Sequence, residues 1–247
     1  MAFRGWNIQH LAKFNSSDSS EFLDLYESAW DAKILSEYDG PSHKTFAPSS
    51  FRCKRIQWFR LRGVQPDKPK VADRVLDFTA VVGTALHRMI QKTLASALDD
   101  RWVNVEEYVK DHCPNLQGCV ITVDPESHET QIEIEDPPVR FACDGIIKWK
   151  NEYVLLEIKS SEFSSWQDLT DPKSQHIDQT KCYCALLNLH RTFFLYIDRQ
   201  YGGIKCYDVS YADYETDKVW SDMREIEDAA VHHLCPDPLP KGDPWCT

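Results

Sequence analysis

Asp144, Glu157 and Lys159 fall in two runs of strand character, Phe141 to Ile147 and Tyr153 to Lys159, joined by a short polar stretch. With a two-residue turn at Asn151-Glu152, Lys150 pairs with Tyr153, Asp144 comes opposite Lys159, and Ile146 comes opposite Glu157. Opposed residues of an antiparallel pair share a face, as do residues two apart on one strand. All three polar side chains then emerge on one face, while Leu156 and Ile158 point to the other. A one-residue change in loop length reverses that parity. Two clustered carboxylates repel unless a cation sits between them, and oxygen ligands suit magnesium or manganese better than zinc. A lysine beside them can hold or activate a water and offset charge developing on a phosphate. Taken alone the pattern is short and degenerate, and it more often marks an exposed hairpin of alternating charges.

Such a site needs flanking elements. Upstream, the apolar-periodic segment from about Leu76 to Leu98 carries Gly83 and His87. Downstream, Asp171-Pro172 offers a cap and first position for a helix that reaches Leu189 and carries Gln179 and Tyr183. Gly83 with His87, and Gln179 with Tyr183, are i,i+4 pairs on one helix face. Singly, each is an ordinary helix residue. The order G-x3-H, D-x12-E-x-K, Q-x3-Y, spread over Ser49 to Tyr207, resembles the RecB-like branch of the PD-(D/E)XK nuclease superfamily. That branch includes small phage and CRISPR-associated exonucleases.

The resemblance implies a restriction-endonuclease-like α/β core, a mixed sheet flanked by helices, with an N-terminal helical extension. It implies that His87, Asp144, Glu157 and the backbone carbonyl of Ile158 bind Mg2+ or Mn2+, and that Lys159 orients or deprotonates the attacking water. Gln179 and Tyr183 would steady the site and touch the nucleic-acid backbone. Cys143 stands where the superfamily's name has proline, a departure that many members share. The implied activity is hydrolysis of phosphodiester bonds at DNA ends, single-stranded or duplex, in phage or bacterial recombination, replication or repair. A structure- or sequence-specific endonuclease and a non-catalytic DNA-binding adaptor of the same fold remain alternatives. Oligomeric state and a recombination partner protein are left open.

Composition describes a globular protein: 247 residues, 42% hydrophobic and 27% charged. No run approaches the roughly 18 uncharged apolar residues of a spanning helix, so no membrane partner is expected. Met-Ala-Phe-Arg-Gly-Trp lacks the apolar core of a signal peptide. Nine cysteines, an odd number, favour a reducing compartment, the cytoplasm of a bacterium or of a virus-infected host cell. The net charge of -11 is unusual for a DNA-binding protein, which commonly shows a basic footprint. A local one exists between Ser50 and Arg62, with five basic residues and no acid. It predicts a helix over about 49–62, capped by Ser49 or Ser50 and ended by Gly63, whose Arg52, Lys54, Arg55 and Arg60 meet phosphates.

In many members of the resembled family, one cysteine near the first helix and three near the C-terminus hold an iron-sulfur cluster. Cys53, Cys235 and Cys246 match that pattern but are one short of four thiolates, and His232 or His233 would turn them into a mixed zinc site. Neither an iron-sulfur cluster nor zinc is favoured. The organisation expected is an N-terminal helical region (1–75), a nuclease core (76–233) and a cysteine-containing tail (234–247). Within it, helices are predicted over Ser17 to Tyr38, Glu106 to Asp111 and Tyr211 to His233. Strands are predicted at Val120 to Val123, Thr130 to Ile134, Val139 to Trp149, Tyr153 to Ser160, Thr192 to Ile197 and Ile204 to Val209.

Overall fold

The computed structural model describes residues 17–37, 44–65, 71–125, 129–240 and 243. Two compact units divide the chain: Met1–Gly40 with Pro66–Val81, and Pro41–Gln65 with Val82–Thr247. The smaller unit holds helix α1 (Ser17–Ser36) and the first turns of α3 (Arg74–Leu98). There Trp30 Nε1 donates to Asp77 at 2.7 Å, and Arg74 bridges Glu27 at 2.8 Å and Asp31 at 3.0 Å. The predicted first helix is found, ending at Ser36; Tyr38 lies outside the described residues.

The larger unit is built on two sheets. Strands β1 (Val120–Val123), β2 (Thr130–Glu135) and β3 (Pro138–Cys143) form an antiparallel meander. Strands β4 (Gly145–Trp149), β5 (Glu152–Ser161), β6 (Arg191–Asp198) and β7 (Ile204–Ser210) form the second, in that order. The β5–β6 pair is parallel and its neighbours are antiparallel, so the expected mixed sheet is present. A parallel pair requires a crossover, and α5 (Phe163–Gln167) and α6 (Ser174–Leu187) supply it. Helices α2 (Lys54–Leu61), α4 (Val105–His112) and α7 (Asp213–Val231) complete the α/β arrangement.

Val154 to Ile158 are all buried, as expected of a strand covered on both faces. On one face Leu156 and Ile158 pack with Ile90 and Leu94 of α3. On the other, Ile146 and Leu155 join Tyr183, Leu186 and Leu187 of α6 and Met223 and Ile226 of α7 in the main core. The central sheet is therefore sandwiched between the two helices predicted to carry site residues.

Four local expectations are corrected. Val139 to Trp149 is not one strand: β3 pairs with β2 and β4 pairs with β5, and the chain passes from one sheet to the other at Asp144. The β4–β5 turn is Lys150-Asn151, not Asn151-Glu152, with Trp149 opposite Glu152 and a left-handed backbone at Lys150 (φ 56°). Helix α6 starts at Ser174, and its N-cap, Lys173, offers no side-chain acceptor in place of Asp171. The basic helix starts at Lys54, because Pro48–Ser50 form a separate turn of 3-10 helix. That turn is clamped by the buried Gln57, whose amide accepts from Ala47 N and donates to Ala47 O, both at 2.9 Å. Gly63 ends α2 as predicted, at φ 62°. Among the described residues no helix is long and apolar enough to cross a membrane.

Candidate active site

Gly145 pairs with Leu156, and counting one step further sets Asp144 level with Glu157. Asp144 was expected opposite Lys159; the one-residue shift of the turn moves the register by two positions and so preserves the shared face. Thr130 pairs with Cys143 on the other side of the break, which sets Glu129 level with Asp144 as well. Asp144 thus shares the cleft with two glutamates, Glu157 of β5 and Glu129, the residue before β2.

Both carboxylates of the predicted pair are buried, Asp144 at 6% exposure and Glu157 at 3%. Asp144 Oδ2 accepts from the Ile158 amide at 2.7 Å, and its Oδ1 lies 3.0 Å from His87 Nδ1. The Ile158 side chain is buried on the far face, against α3. Lys159 Nζ sits 2.6 Å from Glu157 Oε1 and donates to Gln179 Oε1 at 3.0 Å. Gln179 Nε2 in turn donates to the Tyr183 hydroxyl at 2.7 Å, and Phe141 stacks on the Tyr183 ring. His87, Asp144, Glu157, Lys159, Gln179 and Tyr183 all line one cleft of about 320 Å3. The clamped turn at Ala47, Pro48 and Ser49 forms part of its wall.

The electrostatics follow from burial. Loss of water pushes the Glu157 carboxyl up to about 7; Lys159 pulls it back and the Asp144 charge pushes it further. Burial alone would lower His87, but the hydrogen bond and charge of Asp144 outweigh it and leave the imidazole above its ordinary value. Tyr183 is held well above the usual phenol range by burial, so it stays a neutral hydroxyl.

Among the described residues, no three carboxylate, imidazole or thiol side chains stand close enough together to clasp a metal ion as they are. The donor chemistry nevertheless fits a hard divalent cation. Two buried carboxylates, one with its pKa raised by burial and by the charge of the other, share a cleft with an imidazole.

The basic helix is placed differently. Arg52 pairs with Asp243 at 3.2 Å, Lys54 with Asp222 at 2.8 Å and Glu225 at 2.6 Å, Arg55 donates to the Pro236 carbonyl at 3.2 Å, and Arg60 to the Thr45 carbonyl at 3.2 Å. None of the four lines the cleft. Expected to meet phosphates, they are held by the protein's own acceptors, mostly far away in sequence. Of the cysteines predicted to cluster, Cys53 is buried and Cys235 exposed, neither in a disulfide, and Cys246 lies outside the described residues.

No protein-family profile matches the chain, and no curated protein does. Among solved structures it is similar to SSO0001, at TM-score 0.43 and 16% identity, over 82% of this chain and 83% of that one. It is also similar to LHK-Exo, an alkaline exonuclease from Laribacter hongkongensis, at TM-score 0.44 and 14% identity, over 84% of this chain and 94% of that one. A complex of LHK-Exo with dAMP gives TM-score 0.45 and 13% identity with the same coverage.

Three residues of the site were not anticipated. Arg140 and Glu129 line the cleft, and Gln91 donates from Nε2 to the Asp144 carbonyl at 2.8 Å. Arg140 had a signal, since it lies four residues before Asp144 on a strand of period two. Glu129 had none without the β2–β3 pairing. Gln91 stands one helical turn beyond His87, where the same face would have shown it.

Proposed function

We propose that the chain is a metal-dependent nuclease of the RecB-like PD-(D/E)XK branch, with a restriction-endonuclease-like core, that hydrolyses phosphodiester bonds at DNA ends. The observation that carries this reading is the meeting of Asp144 and Glu157 in one cleft, with His87 on the first and Lys159 on the second. Mg2+ or Mn2+ held by His87, Asp144, Glu157 and the Ile158 carbonyl would lower the pKa of water and offset phosphate charge. The remaining work falls to the chain's own groups. Gln179 and Glu157 together hold the Lys159 ammonium at the cleft, where it would hold the attacking water and neutralise the transition state. Because the Tyr183 hydroxyl accepts from Gln179, its own proton is available to a phosphate oxygen. Arg140, at the wall of the same cleft, adds positive charge where the strand would run. Recombination, replication or repair of phage or bacterial DNA is the setting this activity suits.

Linear DNA and covalently closed circles, incubated with the protein in Mn2+, Mg2+ or EDTA, test the reading. Metal-dependent loss of the linear substrate alone is the expected result. Cutting of circles makes it an endonuclease, and no cleavage of either in any metal overturns the assignment.

A further inference from the structure

Helix α3 meets Asp144 at two points. His87 reaches the carboxylate, and Gln91, one turn on and on the same face, reaches the main chain. Asp144 lies between β3 and β4, and no ladder pairing includes it. Its carbonyl therefore depends on a donor from outside the sheets, and the Gln91 amide at 2.8 Å is that donor. This fixes the orientation of the amide. Nε2 faces the carbonyl, and Oε1 is left buried with no hydrogen-bond partner, on a side chain only 1% exposed. A buried unpartnered oxygen is destabilising. The adjoining helix positions Ile90 and Leu94 are apolar and pack against the sheet. If packing were the whole requirement at position 91, an apolar residue would satisfy it without that penalty. The position keeps an amide at a cost to stability, which points to the one bond the amide makes.

We infer that Gln91 is a positioning residue for the proposed metal site. It pins the Asp144 backbone at the junction of the two sheets so that the carboxylate is presented to Glu157 and His87 at a fixed height. His87 alone cannot do this, because its contact is with the carboxylate and moves with it. The inference rests on the metal-dependent reading above, and the experiment separates the two. Outer partners of metal-binding groups typically contribute about 10- to 100-fold in affinity or rate. Gln91→Met keeps the length and removes the donor. It is expected to weaken Mn2+ binding by about that factor in calorimetry and to lower kcat, with KM for DNA unchanged. Gln91→His, whose ring nitrogen restores a donor at similar reach, is expected to recover most of the affinity. If Gln91→Met is too unstable to assay, Gln91→Leu, also apolar and of similar size, removes the same donor and should show the same loss. A Gln91→Met protein that binds Mn2+ as tightly as wild type overturns the positioning role and leaves the nuclease reading intact. Wild-type protein that binds no divalent cation and cleaves no DNA overturns both.

Discussion

The strand pair around Asp144 and the helix Lys54–Leu61 are both crowded with charge, and both faced the same expectation of contact with nucleic acid. Their partners differ. Around Asp144 the polar groups bond to one another: His87 to Asp144, Lys159 to Glu157 and Gln179, Gln179 to Tyr183. All of them open onto one cleft. In α2 the cations bond outward to the rest of the fold, Lys54 to two acids of α7 and Arg55 and Arg60 to main-chain carbonyls. A cation already held by a carboxylate gains little from a phosphate, because one anion must be exchanged for another. Two carboxylates buried in one cleft are costly to keep ionised together, and a cation between them relieves that cost. The arrangement in α2 is the kind that ties a fold together, and the one around Asp144 is the kind that still calls for a ligand.

The sharpest test of that contrast is Asp144→Ala. It is expected to reduce cleavage on the order of a thousandfold, the scale on which a positioned group of the reacting site contributes. Circular dichroism should stay native, because the one buried hydrogen bond lost, to the Ile158 amide, is a small part of the fold. A mutant that cleaves at the wild-type rate in Mg2+ would place the chemistry elsewhere in the molecule.

A second test uses pH. The Glu157 carboxyl stands at about 7 in the folded protein against an ordinary 4.5, so the folded state holds that proton more tightly than the unfolded one. The stability it contributes is full below pH 4.5 and is lost as pH rises through about 7. His87, also raised, acts in the same direction. In EDTA the melting temperature should therefore fall across this interval, and Glu157→Gln should flatten the fall. Mn2+ should counter it, since a cation favours the ionised carboxylate. A metal-free profile that climbs with pH, or one that Glu157→Gln leaves untouched, would contradict the burial argument.

How much of this was legible varies by the distance over which a partner must be found. The shared face of Asp144, Glu157 and Lys159 was readable although the turn was misplaced. The turn was placed at Asn151-Glu152, yet it falls at Lys150-Asn151 with Lys150 left-handed. Sliding a two-residue turn by one place changes which residues are opposed but not which face they occupy. The break at Asp144 was not readable. Phe141 to Ile147 reads as one strand-like run, and the pairing of its two halves with different sheets reveals the junction. The helix pairs Gly83 with His87 and Gln179 with Tyr183 depend on local period and were found. Gln91, one turn beyond His87, was equally local and was not singled out. The intramolecular partners of α2 were not readable, for the opposite reason. The acids that bind Lys54 lie at Asp222 and Glu225, on a helix formed near the other end of the chain.

The smallest expected effect tests that helix. Lys54 is about one-third exposed, so its pair with Asp222 and Glu225 is partly screened by water. Pairs of this kind contribute about 0.2–1 kcal/mol each. Lys54→Met, which keeps the aliphatic stem, should lower the melting temperature by about 1–4 °C in a chain of this size. DNA affinity should barely move. The decisive reading is its salt dependence, because a lysine that neutralises a phosphate releases a counterion and contributes about one unit to the slope of log affinity against log salt. An unchanged slope with a lower melting temperature assigns Lys54 to the fold. A slope shallower by about one, at an unchanged melting temperature, would mean that the carboxylates of α7 give up this cation when DNA arrives. The two charged regions would then work on the same ligand.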